Sequence, residues 1–210
     1  LDFKVSCKTR TSVKARLYRS ISADANPSGV GVVETCCDDL FVPLEFEGRE
    51  QKFTPGSHAV TEERISYVGS GKVEFSVTVK PTILTGKPQT IMSLGNKEIT
   101  LDEEGQVCWI IASTKLVAPA PITLNRWYKI AAMIDACGRM TLRVDQICNN
   151  ARDESVSVEA KTDAAPALDG TLFLAARYQS GSVVHFFNGR IEAPTVCVDG
   201  VVVESWNFAD

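Results

Sequence analysis

The residues able to do chemistry are few and scattered. Glu98-Ile99-Thr100-Leu101-Asp102-Glu103-Glu104 sets four carboxylates within seven positions. Paired carboxylates on alternate positions of a strand hydrolyse glycosides, and the retaining reaction needs them about 5–5.5 Å apart. Asp102 and Glu104 have that alternation, but Gly105 follows at once, so the segment reads as an exposed acidic hairpin tip. Calcium is held by about 6–8 oxygens, chiefly carboxylates and carbonyls. The candidates are Asp38, Asp39, Asp135, Asp145 and Asp169, spread over separate turns without an EF-hand run. His58 and His185 are the only histidines. Neither has a glutamate or second histidine at helical spacing, and no Gly-x-Ser-x-Gly elbow exists for a serine nucleophile. Gly69-Ser70-Gly71 lacks the third glycine and the helix of a phosphate loop, and reads as a turn.

Seven cysteines, at 7, 36, 37, 108, 137, 148 and 197, make no C-x-x-C pair and no zinc quartet. Cys7 and Cys197 sit among strand apolars, where a free thiol packs as a small hydrophobe. Buried thiols in a reducing cytoplasm are the expectation, and the absence of an Asn-x-Ser/Thr sequon with a permitted middle residue agrees. Adjacent Cys36 and Cys37 point to opposite faces of a strand. Trp109 and Trp127 are expected to pack inside. Tyr178, Gln179 and Ser182, with Trp206, are the candidate rim of a ligand site.

These residues must be carried by strands. Val73, Phe75, Val77 and Val79 alternate with charged and hydroxyl residues, and Met140, Leu142 and Val144 alternate with Thr141, Arg143 and Asp145. Alternation either side of Cys137-Gly138-Arg139 predicts an antiparallel hairpin between the stretch from Asn125 to Asp135 and Met140 to Val144. Thr90 to Leu94 and Val107 to Ala112 suggest a meander around the segment from Asn96 to Gly105. Val13, Ala15 and Leu17 are expected to pair with Phe3, Val5 and Cys7. No window carries a helical apolar stripe. Many short strands punctuated by Gly, Pro and Asn predict two packed antiparallel sheets of jelly-roll type.

The 210 residues suit one such sandwich, with residues 1–60 as a candidate N-terminal β extension. The net charge of −4 argues against general affinity for nucleic acid or an anionic membrane, and no apolar run approaches the ~20 residues of a membrane span. Residues 1–20 carry +5, leaving −9 for the remainder. The chain opens in strand alternation without an initiator Met, and is read as a piece of a longer protein.

The strand Asn125 to Asp135 with Met140 to Asp145, and the closing Phe186-Phe187-Asn188-Gly189-Arg190-Ile191-Glu192, resemble the laminin G and concanavalin A-like sandwich families. Three further segments narrow the likeness. They are Arg16-Leu17 followed by Asp24-Ala25-Asn26-Pro27-Ser28-Gly29-Val30-Gly31, then Gly56-Ser57-His58, and finally Phe187 to Pro194 preceding Trp206-Asn207-Phe208. In that order they resemble the amino-terminal part of the large subunit of N,N-dimethylformamidase, over most of the chain. The Cys36-Cys37 stretch departs from that pattern.

The resemblance implies a bacterial parent hydrolase that cleaves the C–N bond of small formamides. It also implies an iron site in a later domain, and partners in the rest of the polypeptide and a small subunit. No catalytic residue is carried over to this chain. The expectation is therefore an all-β, concanavalin A-like (laminin G-like) jelly-roll sandwich acting as a cytoplasmic, non-catalytic scaffold, with calcium as the candidate structural ion. The alternatives are a carbohydrate-binding laminin G-type module and a glucanase-like glycosidase.

Overall fold

The computed structural model describes residues 5–50, 56–69, 71–147 and 155–208. Its contacts group the chain into two compact units, Leu1–Thr54 and Pro55–Asp210.

The first unit holds four strands, β1 (Thr11–Ala15), β2 (Tyr18–Ala23), β3 (Val32–Cys36) and β4 (Leu44–Gly48). β1 pairs with β4, placing Val13 opposite Phe46, and β2 pairs with β3. Of the partners expected for Val13, Ala15 and Leu17, Cys7 donates its amide to the Arg49 carbonyl at 3.1 Å and Phe3 lies outside the described residues. The loop from Asp24 to Gly31 is tied by its own polar side chains. Asp24 Oδ1 accepts from the Asn26 amide at 2.9 Å and Asn26 Oδ1 accepts from the Ser28 amide at 3.1 Å. Such local bonds are what make Asn and Asp turn formers.

The second unit is a β-sandwich. Its strands are β5 (Ala59–Val60), β6 (Ile65–Tyr67), β7 (Val73–Pro81), β8 (Gln89–Leu94), β9 (Lys97–Leu101), β10 (Gln106–Ile111), β11 (Thr114–Pro121), β12 (Trp127–Ile134), β13 (Arg139–Ile147) and β14 (Ser155–Lys161). They continue as β15 (Leu168–Gly170), β16 (Leu172–Leu174), β17 (Arg177–Gln179), β18 (Ser182–Val184), β19 (Gly189–Val198) and β20 (Val201–Ser205). One six-stranded sheet runs β14-β13-β12-β7-β19-β20 and the other β11-β10-β9-β8-β16-β5, with β15-β6 and β17-β18 as short pairs. All these pairings are antiparallel. Among the described residues there is no helix, and so none long and apolar enough to cross a membrane.

The alternation of β7 places Val73, Phe75, Val77 and Val79 inside. Ile130, Ala132 and Ile134 from β12 and Met140, Leu142 and Val144 from β13 join them in one core with Ile91, Leu94, Ile99 and Trp109. Apolar side chains meeting between two sheets are the main stabilising term of such a fold.

Three expectations are corrected. Trp127 is only half-buried, because the register of β12 turns Tyr128 inward. Tyr128 fits there because its hydroxyl keeps partners, the Thr123 amide at 2.8 Å and Gln146 Oε1 at 3.5 Å. Glu98 to Leu101 is strand β9 inside the sheet, leaving only the residues after it as the acidic turn. Of the described cysteines only Cys37 and Cys108 are buried; Cys36 and Cys137 are exposed, Cys7 and Cys197 lie between, and all six are free thiols. Cys148 and Ser70 lie outside the described residues.

Candidate functional site

β16 lays the foundation of the site. Leu172 and Leu174 go into the core, so the alternation turns Phe173 outward, opposite Ser93 on β8 and Val60 on β5. The chain then crosses the outer side of β8 as the β17–β18 hairpin, with Gln179 opposite Ser182. Ser180 and Gly181 turn it with φ of 50° and 84°, the left-handed pair of a two-residue hairpin loop. The hairpin is anchored at its base. Ser93 Oγ donates to the Ala176 carbonyl at 3.2 Å, and the Thr90 amide to the His185 carbonyl at 2.7 Å.

This arrangement aligns four rings on one face. The His58 and Phe173 centroids are 6.3 Å apart with planes 19° from parallel, and Phe173 and Tyr178 are 6.1 Å apart at 21°. Phe186 tilts against His58 at 5.9 Å and 59°. Phe186 also lies against the bare backbone of Gly56, where an added Cβ would come within 2.3 Å of the ring. At φ of 138°, in a region side chains avoid, Gly56 is thus required twice over. Offset-parallel rings at this spacing attract one another beyond simple burial. Tyr178 ends the row and is exposed.

Polar groups flank the rings. Arg177 Nη1 bonds Glu98 of β9, and Nη2 donates to Gln179 Oε1 at 2.7 Å. Burial, and then the Arg177 charge, push the His185 imidazole below its usual range, while Glu98 pulls the other way.

A cleft of about 480 Å³ opens beside His58. Ser57, His58, Thr82 and Asn188 give it polar lining, and Phe187 and Phe208 give it aromatic lining. Asn188 is held by Gln89, whose buried Oε1 accepts from its backbone amide at 2.7 Å and from Nδ2 at 3.3 Å. Gln89 Nε2 is itself fixed on the Ile83 carbonyl at 3.0 Å.

Of the residues expected at a rim, Tyr178, Gln179 and Ser182 come together on the hairpin. Trp206 does not join them. It follows β20, bonds Glu204 through Nε1 at 2.8 Å, and lines a separate depression beside Arg64. Its ring neighbour Phe208, at 6.0 Å, does reach the His58 cleft. His58, Phe173, Phe186 and Asn188 were not legible as site residues. The signal available was the closing Phe186-Phe187-Asn188-Gly189 run, which reads simply as a strand.

The carboxylates do not form a hydrolytic pair. Glu98 is engaged by Arg177, and Glu104 is exposed at the turn. Asp102 accepts from the Gln106 amide at 2.8 Å and meets Cys108 and Lys115, both at 3.4 Å. Burial pushes the Asp102 carboxyl up, but these bonds bring it below the usual range. Burial, and then Asp102, raise the Cys108 thiol to about 11, so it stays protonated.

The candidate calcium ligands are likewise apart. Asp38 pairs with Arg16 at 3.2 Å, Asp169 with Arg64 at 2.8 Å and Asp145 with Arg143 at 2.8 Å. Asp135 caps the Cys137 and Arg139 amides of its hairpin turn. Among the described residues no three His, Cys, Asp or Glu side chains converge as a metal site.

No family model and no curated protein matches this sequence. Solved structures do share its fold. A Bacteroides ovatus protein assigned provisionally to carbohydrate binding aligns over 95% of this chain and 55% of its own, at 12% identity and a TM-score of 0.50. The native heptameric SAP-like pentraxin of Limulus polyphemus aligns over 68% of this chain and 72% of its own, at 14% identity and 0.45. The CBM40 of the Ruminococcus gnavus IT-sialidase, solved with α2,3 sialyllactose, aligns over 64% and 78%, at 16% identity and 0.44. At 12% identity the likeness to the Bacteroides ovatus protein is one of fold, and with its two packed sheets the chain is an all-β sandwich of the concanavalin A-like, jelly-roll type.

Proposed function

We propose that this chain is the non-catalytic β-sandwich portion of a larger cytoplasmic hydrolase related to the N,N-dimethylformamidase large subunit, and serves it as an interaction domain. The carrying observation is the surface of residues 5–50. Val30, Val32, Leu40 and Val42 are 68–77% exposed, and Cys37 is the sole buried apolar side chain described in that unit. Two two-stranded sheets with so little core gain little from folding alone, and exposed apolar side chains that outnumber the buried ones favour burial against a partner. A later domain carrying the iron and the chemistry, or a small subunit, supplies the cover. Assay of N,N-dimethylformamide hydrolysis tests this. The full-length parent is expected to hydrolyse the amide and residues 1–210 alone to leave it intact. Hydrolysis by the isolated chain would overturn the reading.

A second reading, a saccharide-binding module, is favoured by the row His58, Phe173 and Tyr178 with its exposed end. Aromatic side chains with a few placed polar groups are how proteins hold small polar ligands. The fold shared with the Bacteroides ovatus protein is compatible with it. Glycan-array binding by residues 1–210 supports this reading, and loss of that binding on chelation would add a calcium ion to it. A blank array contradicts it.

A further inference from the structure

We propose that the cleft beside His58 binds a neutral saccharide of one or two pyranose rings. This rests on the saccharide reading above and adds its location and ligand class. The cleft volume of about 480 Å³ lies within the range of small-molecule sites, about 300–1,000 Å³. No Asp, Glu, Lys or Arg lines it, so an ionic ligand would leave its charge unpaired at a cost. Its polar groups are hydrogen-bonding ones, the Ser57 and Thr82 hydroxyls, the His58 ring and the Asn188 amide. No hydrogen bond occupies either hydroxyl among the described residues, and each can donate as well as accept. Asn188 Nδ2 is spent on Gln89 Oε1 and on the Phe186 carbonyl, which leaves Oδ1 as the acceptor it offers.

The lining also includes two aromatic rings, Phe187 buried and Phe208 half-exposed. A pyranose matches both halves, with a C–H face for the rings and equatorial hydroxyls for the rim. The acceptor is set before binding, because Asn188 is pinned by a buried Gln89 that is itself pinned to Ile83. Such preorganisation removes an ordering cost from association.

The test is a ¹H–¹⁵N NMR titration of the full chain with glucose, galactose, mannose, N-acetylglucosamine, lactose and cellobiose. The expected result is saturable shifts at the Ser57, His58, Asn188 and Gly189 amides with at least one sugar. His58→Ala and Phe208→Ala are then each expected to weaken binding about tenfold or more, the scale of losing one good contact. Unshifted amides of β7 and β12 show that each variant is folded. Shifts confined to Tyr178, Gln179 and Ser182, or affinity unaltered by both cleft variants, would overturn the location but leave the saccharide reading standing. No shift with any sugar overturns both.

Discussion

Arg177 donates from Nη1 to both carboxylate oxygens of Glu98, at 3.0 and 3.2 Å, across 79 residues of sequence. Both side chains are mostly shielded, at 24% and 16% exposure, so water screens the pair less than a surface ion pair. The contact ties the β17–β18 hairpin to β9. Arg177→Ala leaves the Glu98 carboxylate poorly partnered and is expected to cost about 2 kcal/mol, as for hydrogen bonds to charged groups. Urea denaturation measures it, and an unchanged midpoint would show that the hairpin is held by its rings alone.

His185 gives the same region a dependence on pH. Its folded-state pKa lies below the ordinary value, from burial first and Arg177 second. The unfolded state therefore takes up its proton first, so the stabilisation is complete above about pH 6.5 and is lost as pH falls below it. His185→Asn removes the titration and suits the left-handed backbone at φ of 58°. Comparing denaturation at about pH 7.5 and about pH 5, the wild type is expected to lose more stability than the variant. Equal losses would contradict the assignment.

Phe75 and Trp127 separate the two sides of the core-facing sheet. Phe75 is fully buried, with its ring 5.2 Å from that of Trp109, and Phe75→Ala is expected to cost about 3–5 kcal/mol. Trp127 stands on the outward register of β12, and Trp127→Ala is expected to cost about 1 kcal/mol or less. Thermal melts of the two variants check the contrast, and equal losses would move Trp127 into the core.

What was legible in the sequence is what depends on local alternation. The β12–β13 hairpin and the inward face of β7 follow from period-2 patterning, and they are enough to give the sandwich class. What was hidden depends on partners far away in sequence. Lys97 and Glu98 suggest a solvated turn, yet Lys97 is buried and donates to the Ala167 carbonyl at 2.6 Å. A charged residue can enter a strand there because segments about 70–80 residues downstream satisfy it. The Trp127 register was hidden for a similar reason, since the Tyr128 hydroxyl finds its partners only in the fold. His58 was unremarkable as a loop residue until Phe173 and Phe186 closed around it.

The interaction-domain reading stands or falls on the apolar surface of residues 30–44. Hydrogen exchange of those backbone amides, in residues 1–210 alone and in the full-length parent, tests it most directly. The prediction is exchange at least about tenfold slower in the parent, as expected when a covering domain suppresses local opening. Identical rates in both would mean that nothing covers this surface, and the interaction-domain reading would fail.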